Sequence, residues 1–270
     1  MTSLPPSRVG LARALSKLGY CSRSAAYRHI RAGQVSVNGT IQRDPERPVN
    51  WQRDRIAVEG RSIAAPAKLY LMLNKPRGVV TTAADEKGRK TVYACLDEDL
   101  PWVSPVGRLD KASEGLLLLT NDSEWAARVS APETHLDKIY HVQITTVADE
   151  ALIATLIRGV ASGQGELLRA KGAQLLRSGN KNSWLEIVLD EGKNRQIRRM
   201  LAACGVEVLR LIRVAIGPLS LGELAKGDSR ALTHEDKERL DQAMLRRSRA
   251  SGELREAKEA RIGVRNQIKR

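Results

Sequence analysis

Between Arg8 and Gly33 apolar residues recur at helical spacing in two bursts, Val9, Leu11, Ala12, Leu15 and Leu18, then Ala25, Ala26, Tyr27 and Ile30. That recurrence gives a helix one apolar face, so two short helices are predicted. Gly19 and Gly33 suit their C-terminal ends, and Ser22 or Ser24 suits the N-cap of the second. Val35-Ser36-Val37 then alternates like a strand, Asn38-Gly39 is a two-residue hairpin signal, and Thr40-Ile41 returns. The amino-terminal unit therefore reads as helix-helix-hairpin, studded with Arg23, Arg28 and Arg31.

Ala64-Ala65-Pro66-Ala67 is a small-residue linker, after which apolar content rises at Leu69-Tyr70-Leu71-Met72-Leu73. Strand-like runs at 116–120, 139–145, 184–189 and 206–213 are separated by helical ones at 123–129, 149–156 and 195–203. Strand and helix do not alternate regularly, which favours an α+β fold over a doubly wound sheet. Residues 235–270 begin with helical spacing and then lose large apolar residues, which predicts a basic, partly disordered tail. The expected division is a small amino-terminal unit over 1–63, a linker over 64–67, a larger domain over 68–240 and a tail over 241–270.

Composition narrows the partners. A net charge of +14 attracts polyanions, and it is concentrated at +6 in residues 1–60 and +5 in residues 241–270. No run approaches the roughly 20 apolar residues of a membrane span, so nucleic acid is the expected partner and a membrane is not. Cys21, Cys95 and Cys204 are odd in number and far apart, which argues against disulfides and a zinc knuckle and for a reducing cytoplasm. The first 43 residues contain no acid, as organelle leaders do, but their helix and hairpin signals read as a folded unit. Aromatics are only 3% and Phe is absent, so Leu, Val, Ile and Ala must fill the core.

The densest chemical signal is Gly107-Arg108-Leu109-Asp110-Lys111-Ala112-Ser113-Glu114-Gly115, running into Leu116–Leu119 and Thr120-Asn121-Asp122. A charged, glycine-bounded turn against a buried strand can aim a carboxylate from the lip of a core. On turn preferences alone Asp110 is an ordinary turn former. The stretch resembles the signature of pseudouridine synthases that act on ribosomal RNA, the group typified by the small-subunit uridine enzyme and its large-subunit relatives. Four further blocks match in order: 73–79 (LNKPRGV), 138–142 (KIYHV), 191–200 (EGKNRQIRRM) and 209–213 (LRLIR) before Gly217 and Leu219. Residues 21–24 (CSRS) and 32–39 (AGQVSVNG) resemble a small RNA-binding domain shared with a small-subunit ribosomal protein. The likeness spans about residues 8–240. Ser123 departs from the family's usual Gly, and Ala131-Pro132 from its His-Pro pair.

The resemblance implies isomerisation of uridine to pseudouridine, with Asp110 catalytic, Arg198 pairing with it and Tyr140 a platform for the extruded base. Asp110 would attack sugar or base, or remove a sugar proton; the residues do not choose. Tyr140 would also assist loss of the carbon-bound proton. Arg108 would hold the target nucleotide open or contact phosphate, Lys75 and Lys138 would support sheet ends or phosphates, and Leu209 would pack beside the base. Without the resemblance, Tyr140 and Leu209 read as core, and Arg195, Arg198 and Arg199 as a solvated helix face. Arg23, Arg28 and Arg31 would grip RNA phosphates. No cofactor or metal is expected, because isomerisation adds no atoms and no ligand spacing is present. The expected partner is ribosomal RNA or a ribosome assembly intermediate, bound by a monomer. Two other classes stay open: an inactive ribosome-associated factor, and a hydrolase pairing Asp110 with Glu114.

Overall fold

A computed structural model describes residues 8–246, apart from Ala65, Ala84, Glu86, His135 and Gln164. The tail expected beyond residue 246 lies outside the described residues, as does His135 among the histidines.

The amino-terminal unit opens with β1 (Val9–Gly10), α1 (Leu11–Lys17) and α2 (Arg23–Arg31), followed by β2 (Val35–Val37), β3 (Thr40–Gln42), β4 (Pro48–Val49), β5 (Ile56–Val58) and β6 (Arg61–Ser62). Ser22 caps α2 by accepting a hydrogen bond from the Ala25 amide at 3.1 Å. Asn38 and Gly39 both take positive φ, 52° and 86°, the geometry that turns β2 into β3 with the twist of the strands. A four-stranded antiparallel sheet in the order β3-β2-β5-β6 results. Leu11, Leu15, Ile30, Val35 and Ile56 fill its separate core. Arg23, Arg28 and Arg31 all remain on the exposed side of α2.

The larger unit is a nine-stranded mixed sheet. Its elements are β7 (Tyr70–Lys75), β8 (Ser104–Val106), β9 (Glu114–Thr120), α3 (Ser123–Ser130), β10 (Lys138–Ile144) and α4 (Glu150–Arg158), then β11 (Val160–Ala161), β12 (Leu167–Leu168), β13 (Gly172–Ser178) and β14 (Ser183–Leu189), then α5 (Gln196–Ala203), β15 (Val208–Ile216), β16 (Leu219–Ser220) and β17 (Ser229–Ala231). Strand order is β13-β14-β10-β15-β9-β7-β17, with β16 on β15 and β8 on β9. Every residue of β9 is buried. Its alternation sends Leu116 and Leu118 into one core with Met72 and Trp125, and Leu117 and Leu119 into another with Leu71 and Leu73.

The two halves of this sheet meet in a short parallel pairing of β9 with β15, registered at Glu114 with Ile212 and Gly115 with Arg213. Gly115 has φ +100°, and a Cβ there would sit 2.3 Å from the Arg213 carbonyl oxygen. Only glycine allows the backbones this close. Residues 234–246 form a last helix, whose Leu240 and Met244 are buried with Trp125. The Trp125 indole donates to Asp241 at 2.9 Å. Residues 241–246, assigned by sequence to the tail, therefore belong to the packed unit; their apolar spacing is too short to stand out in a charged segment.

Candidate active site

Asp110 lies in the turn between β8 and β9, and that turn is fixed through its backbone. Five consecutive carbonyl groups are each engaged from elsewhere or from within the turn. Thr81 donates to Leu109 O at 2.8 Å, the Lys75 ammonium to Asp110 O at 3.2 Å and Ser113 O at 2.9 Å, the Gly78 amide to Lys111 O at 2.7 Å and the Ser113 amide to Asp110 O at 3.0 Å, and Arg198 to Ala112 O at 3.1 Å. With the backbone satisfied in this way, the Asp110 carboxylate accepts none of the hydrogen bonds that hold the turn. Burial pushes the Lys75 ammonium down to about 8, opposed by nearby Cys95, Asp110 and Glu114.

The Asp110 carboxylate, 22% exposed, faces Arg108 Nη2 at 3.8 Å and Arg195 Nη1 at 3.6 Å. Arg195 reaches it because this residue, the N-cap of α5, takes the left-handed conformation at φ 48° and ψ 32°. The start of α5 is tied down by Gln196, which donates to Arg169 O at 3.0 Å and to the Glu191 carboxylate at 2.7 Å. Asp110 borders a cavity of about 620 Å³, within the span of small-ligand sites. Leu109, Val129, Leu189, Ile197, Leu211 and Tyr140 give it apolar walls, while Arg108, Lys138, Lys193, Arg195 and Arg213 supply cations. Such a site, which Asp190 and Glu191 also border, can stack a planar base, hold phosphate and present the Asp110 carboxylate to the sugar.

Arg108 and Asp110 from one segment and Lys138 and Tyr140 from another, some thirty residues on, thus border one cavity. Three expectations need correction. Arg198 makes no ion pair with Asp110: its guanidinium donates to Val208 O at 3.2 Å and Ala112 O, so it holds the turn's backbone. Burial pushes it below its ordinary value, Arg195 and Arg77 add to that, and Asp110 opposes it. Lys75 is 0% exposed and spends its ammonium on carbonyls beside the ends of β7 and β9, so of its two expected roles it takes the structural one and lies out of reach of phosphate. Leu209 is 36% exposed and lies off the cavity, because the β10–β15 register passes from Arg210 opposite Gln143 to Val208 opposite Ile144 and leaves Leu209 as a bulge residue, off the inward face that Leu211 occupies.

Glu114 also falls outside the cavity. It is 3% exposed and clamped by Arg210 at 3.1 Å and Lys226 at 2.5 Å. Burial alone would raise its carboxyl, but the bonds and charges of Arg210 and Lys226 win and hold it below the usual range. No second carboxylate from this turn is available for hydrolysis. Among the cavity residues that sequence reasoning did not assign are Arg195, Leu211 and Arg213; Arg195 was visible only as one of several basic residues in its block. Among the described residues no group of three His, Cys, Asp or Glu is placed to hold a metal, and no helix is long and apolar enough to cross a membrane.

Comparison with known proteins identifies the family. The RNA pseudouridylate synthase family matches residues 69–203 and the S4 domain matches residues 9–56. The ribosomal large subunit pseudouridine synthase B of Bacillus subtilis is 36% identical over 231 residues, covering 85% of this chain and 94% of that protein. An uncharacterized RNA pseudouridine synthase of Rickettsia bellii is 38% identical over 223 residues, covering 83% and 96%. A pseudouridylate synthase of known crystal structure superposes with a TM-score of 0.59 at 32% identity, covering 86% of this chain and 99% of that one. With its cavity, its mixed sheet and its amino-terminal S4 domain, the chain belongs to the RNA pseudouridylate synthase family.

Proposed function

We propose that the chain converts a uridine of structured ribosomal RNA to pseudouridine, with Asp110 as the catalytic carboxylate and no cofactor. The observation that carries the reading is the pairing, on one cavity, of a backbone-fixed Asp110 with the aromatic ring of Tyr140. The reaction breaks the C1′–N1 bond and forms C1′–C5; C5 loses a proton and N1 gains one, so atoms balance. Asp110 acts at the sugar or base, Tyr140 stacks on the extruded uracil, and Arg108 at the rim holds the nucleotide or its phosphate. Arg195 is the nearer guanidinium partner of the carboxylate, and Arg198 and Lys75 position the turn. Arg23, Arg28 and Arg31, together with the S4 domain, favour a folded RNA as substrate. The name of the Bacillus relative, a ribosomal large subunit enzyme, favours ribosomal RNA as the substrate; in this reading the RNA is free or in an assembly intermediate and is met by a monomer in the cytoplasm.

The test is tritium release from ribosomal RNA transcripts labelled at uridine C5. The wild-type protein should release label, and Asp110→Asn should lower the rate by roughly 10³-fold or more while retaining RNA binding. Release by Asp110→Asn at the wild-type rate would falsify the assignment of Asp110. Strand scission would instead indicate a hydrolase, and RNA binding with no release an inactive assembly factor. Mapping pseudouridines in a strain lacking the gene identifies the target.

A further inference from the structure

We infer that Arg213 reads the target base, donating from its unpartnered terminal nitrogen Nη2 to a uracil carbonyl oxygen both before and after the base turns. This rests on the uridine-isomerising reading above. Arg213 is 6% exposed yet borders the cavity. Its Nε donates to Leu116 O at 2.7 Å, across the junction of β15 and β9. Nη2 is buried without a hydrogen-bond partner among the described residues. A guanidinium cannot shed its proton to escape burial, so such donors call for an acceptor.

Position distinguishes Arg213 from the other cations. Arg108 and Arg195 have side chains 72% and 50% exposed and already face Asp110, as suits groups meeting a nucleotide backbone at the rim. Arg213 lies deep, directly opposite Tyr140 in the β10–β15 register. The aromatic platform and the buried donor thus share one level of the sheet, where a stacked base would present its edge.

Uracil suits a fixed donor. Its edge presents O2, N3–H and O4, an acceptor-donor-acceptor pattern symmetric about the line from N3 to C6. Isomerisation exchanges N1 with C5 and therefore C2 with C4. A donor that meets one carbonyl in the substrate meets the other in the product, with no rearrangement of the protein. Cytosine carries an amino group at C4, so the same donor faces another donor in one of the two orientations. Arg213 is in this account a residue that selects uracil and holds it through the turn.

The experiment uses the full chain and an RNA fragment carrying the mapped uridine, unmodified or replaced there by 2-thiouridine or 4-thiouridine, whose sulfur accepts hydrogen bonds weakly. Wild type, Arg213→Met and Arg213→Lys are compared by single-turnover conversion, RNA affinity at several salt concentrations and thermal melting. Arg213→Met should slow conversion of uridine roughly 10- to 100-fold with RNA affinity unchanged. Thio substitution should slow the wild type about tenfold but add little to the loss in Arg213→Met, and Arg213→Lys should recover part of the rate. A variant that loses the same factor on all three RNAs, or that loses affinity with a shallower salt slope as a phosphate contact would, overturns the assignment. If Arg213→Met does not fold, wild type equally fast on uridine and both thio-RNAs overturns it alone. Wild type converting no uridine at all sinks the proposed function first, and this inference with it.

Discussion

Asp110 owes its place to groups that never touch its carboxylate. Thr81, Lys75, Gly78 and Arg198 hold the turn by its carbonyls, and Glu114 one step further on ties it to β15 through Arg210. Because the Glu114 carboxyl is held below its usual value of 4.5, its contribution to stability is complete above about pH 4.5 and is lost as pH falls through the lowered folded value. Glu114→Gln should therefore cost about 1–3 kcal/mol at pH 7, with the gap to wild type closing in more acidic buffer; urea denaturation across pH 3 to 7 measures this. The motif around Asp110 was legible in the chain because the resemblance rests on residue types at short spacing. The fates of Lys75, Arg198 and Leu209 were not, because burial and the direction of a side chain follow from strand pairing tens of residues away.

Among elements, β9 carries the most consequence. It is the strand where two halves of the sheet meet, and Gly115 is the point of closest backbone approach. Gly115→Ala should destabilise the protein by at least ~3 kcal/mol or prevent folding, since the new methyl meets a backbone oxygen and its φ is unfavourable for any L side chain. Gly107→Ala, also at positive φ but with open space around it, should cost only about 1 kcal/mol. Thermal melting of the pair separates steric closeness from backbone strain. Helices α1 to α5 and the β2–β3 hairpin were readable because caps, periodicity and Asn38-Gly39 are local signals. Strand β13 was not: it is an edge strand with five exposed residues in succession and no alternation of burial. The parallel contact of β9 with β15 also left no local trace, being a pairing between residues about a hundred positions apart.

At the scale of the whole molecule, charge and chemistry are divided between the two units. The proposed reading assigns grip to α2 and conversion to the cavity, so the two should separate in kinetics. Replacing Arg23, Arg28 and Arg31 together with Ala should weaken RNA binding and flatten its dependence on log salt by up to about 3, while the saturated single-turnover rate and the melting temperature hold. A fall in the saturated rate with unchanged affinity would show that α2 serves the chemistry instead. The anchoring of the Asp110 turn also bears on when the enzyme becomes competent during its own synthesis. Its anchors are spread from Lys75 to Arg198, so a nascent chain emerging from the ribosome, with the signature motif complete but α5 still in the exit tunnel, lacks one brace of the turn that the proposed reading makes reactive. Full competence is thereby postponed until most of the polypeptide has been translated, and fragments left by early termination have little means of altering the RNA around them.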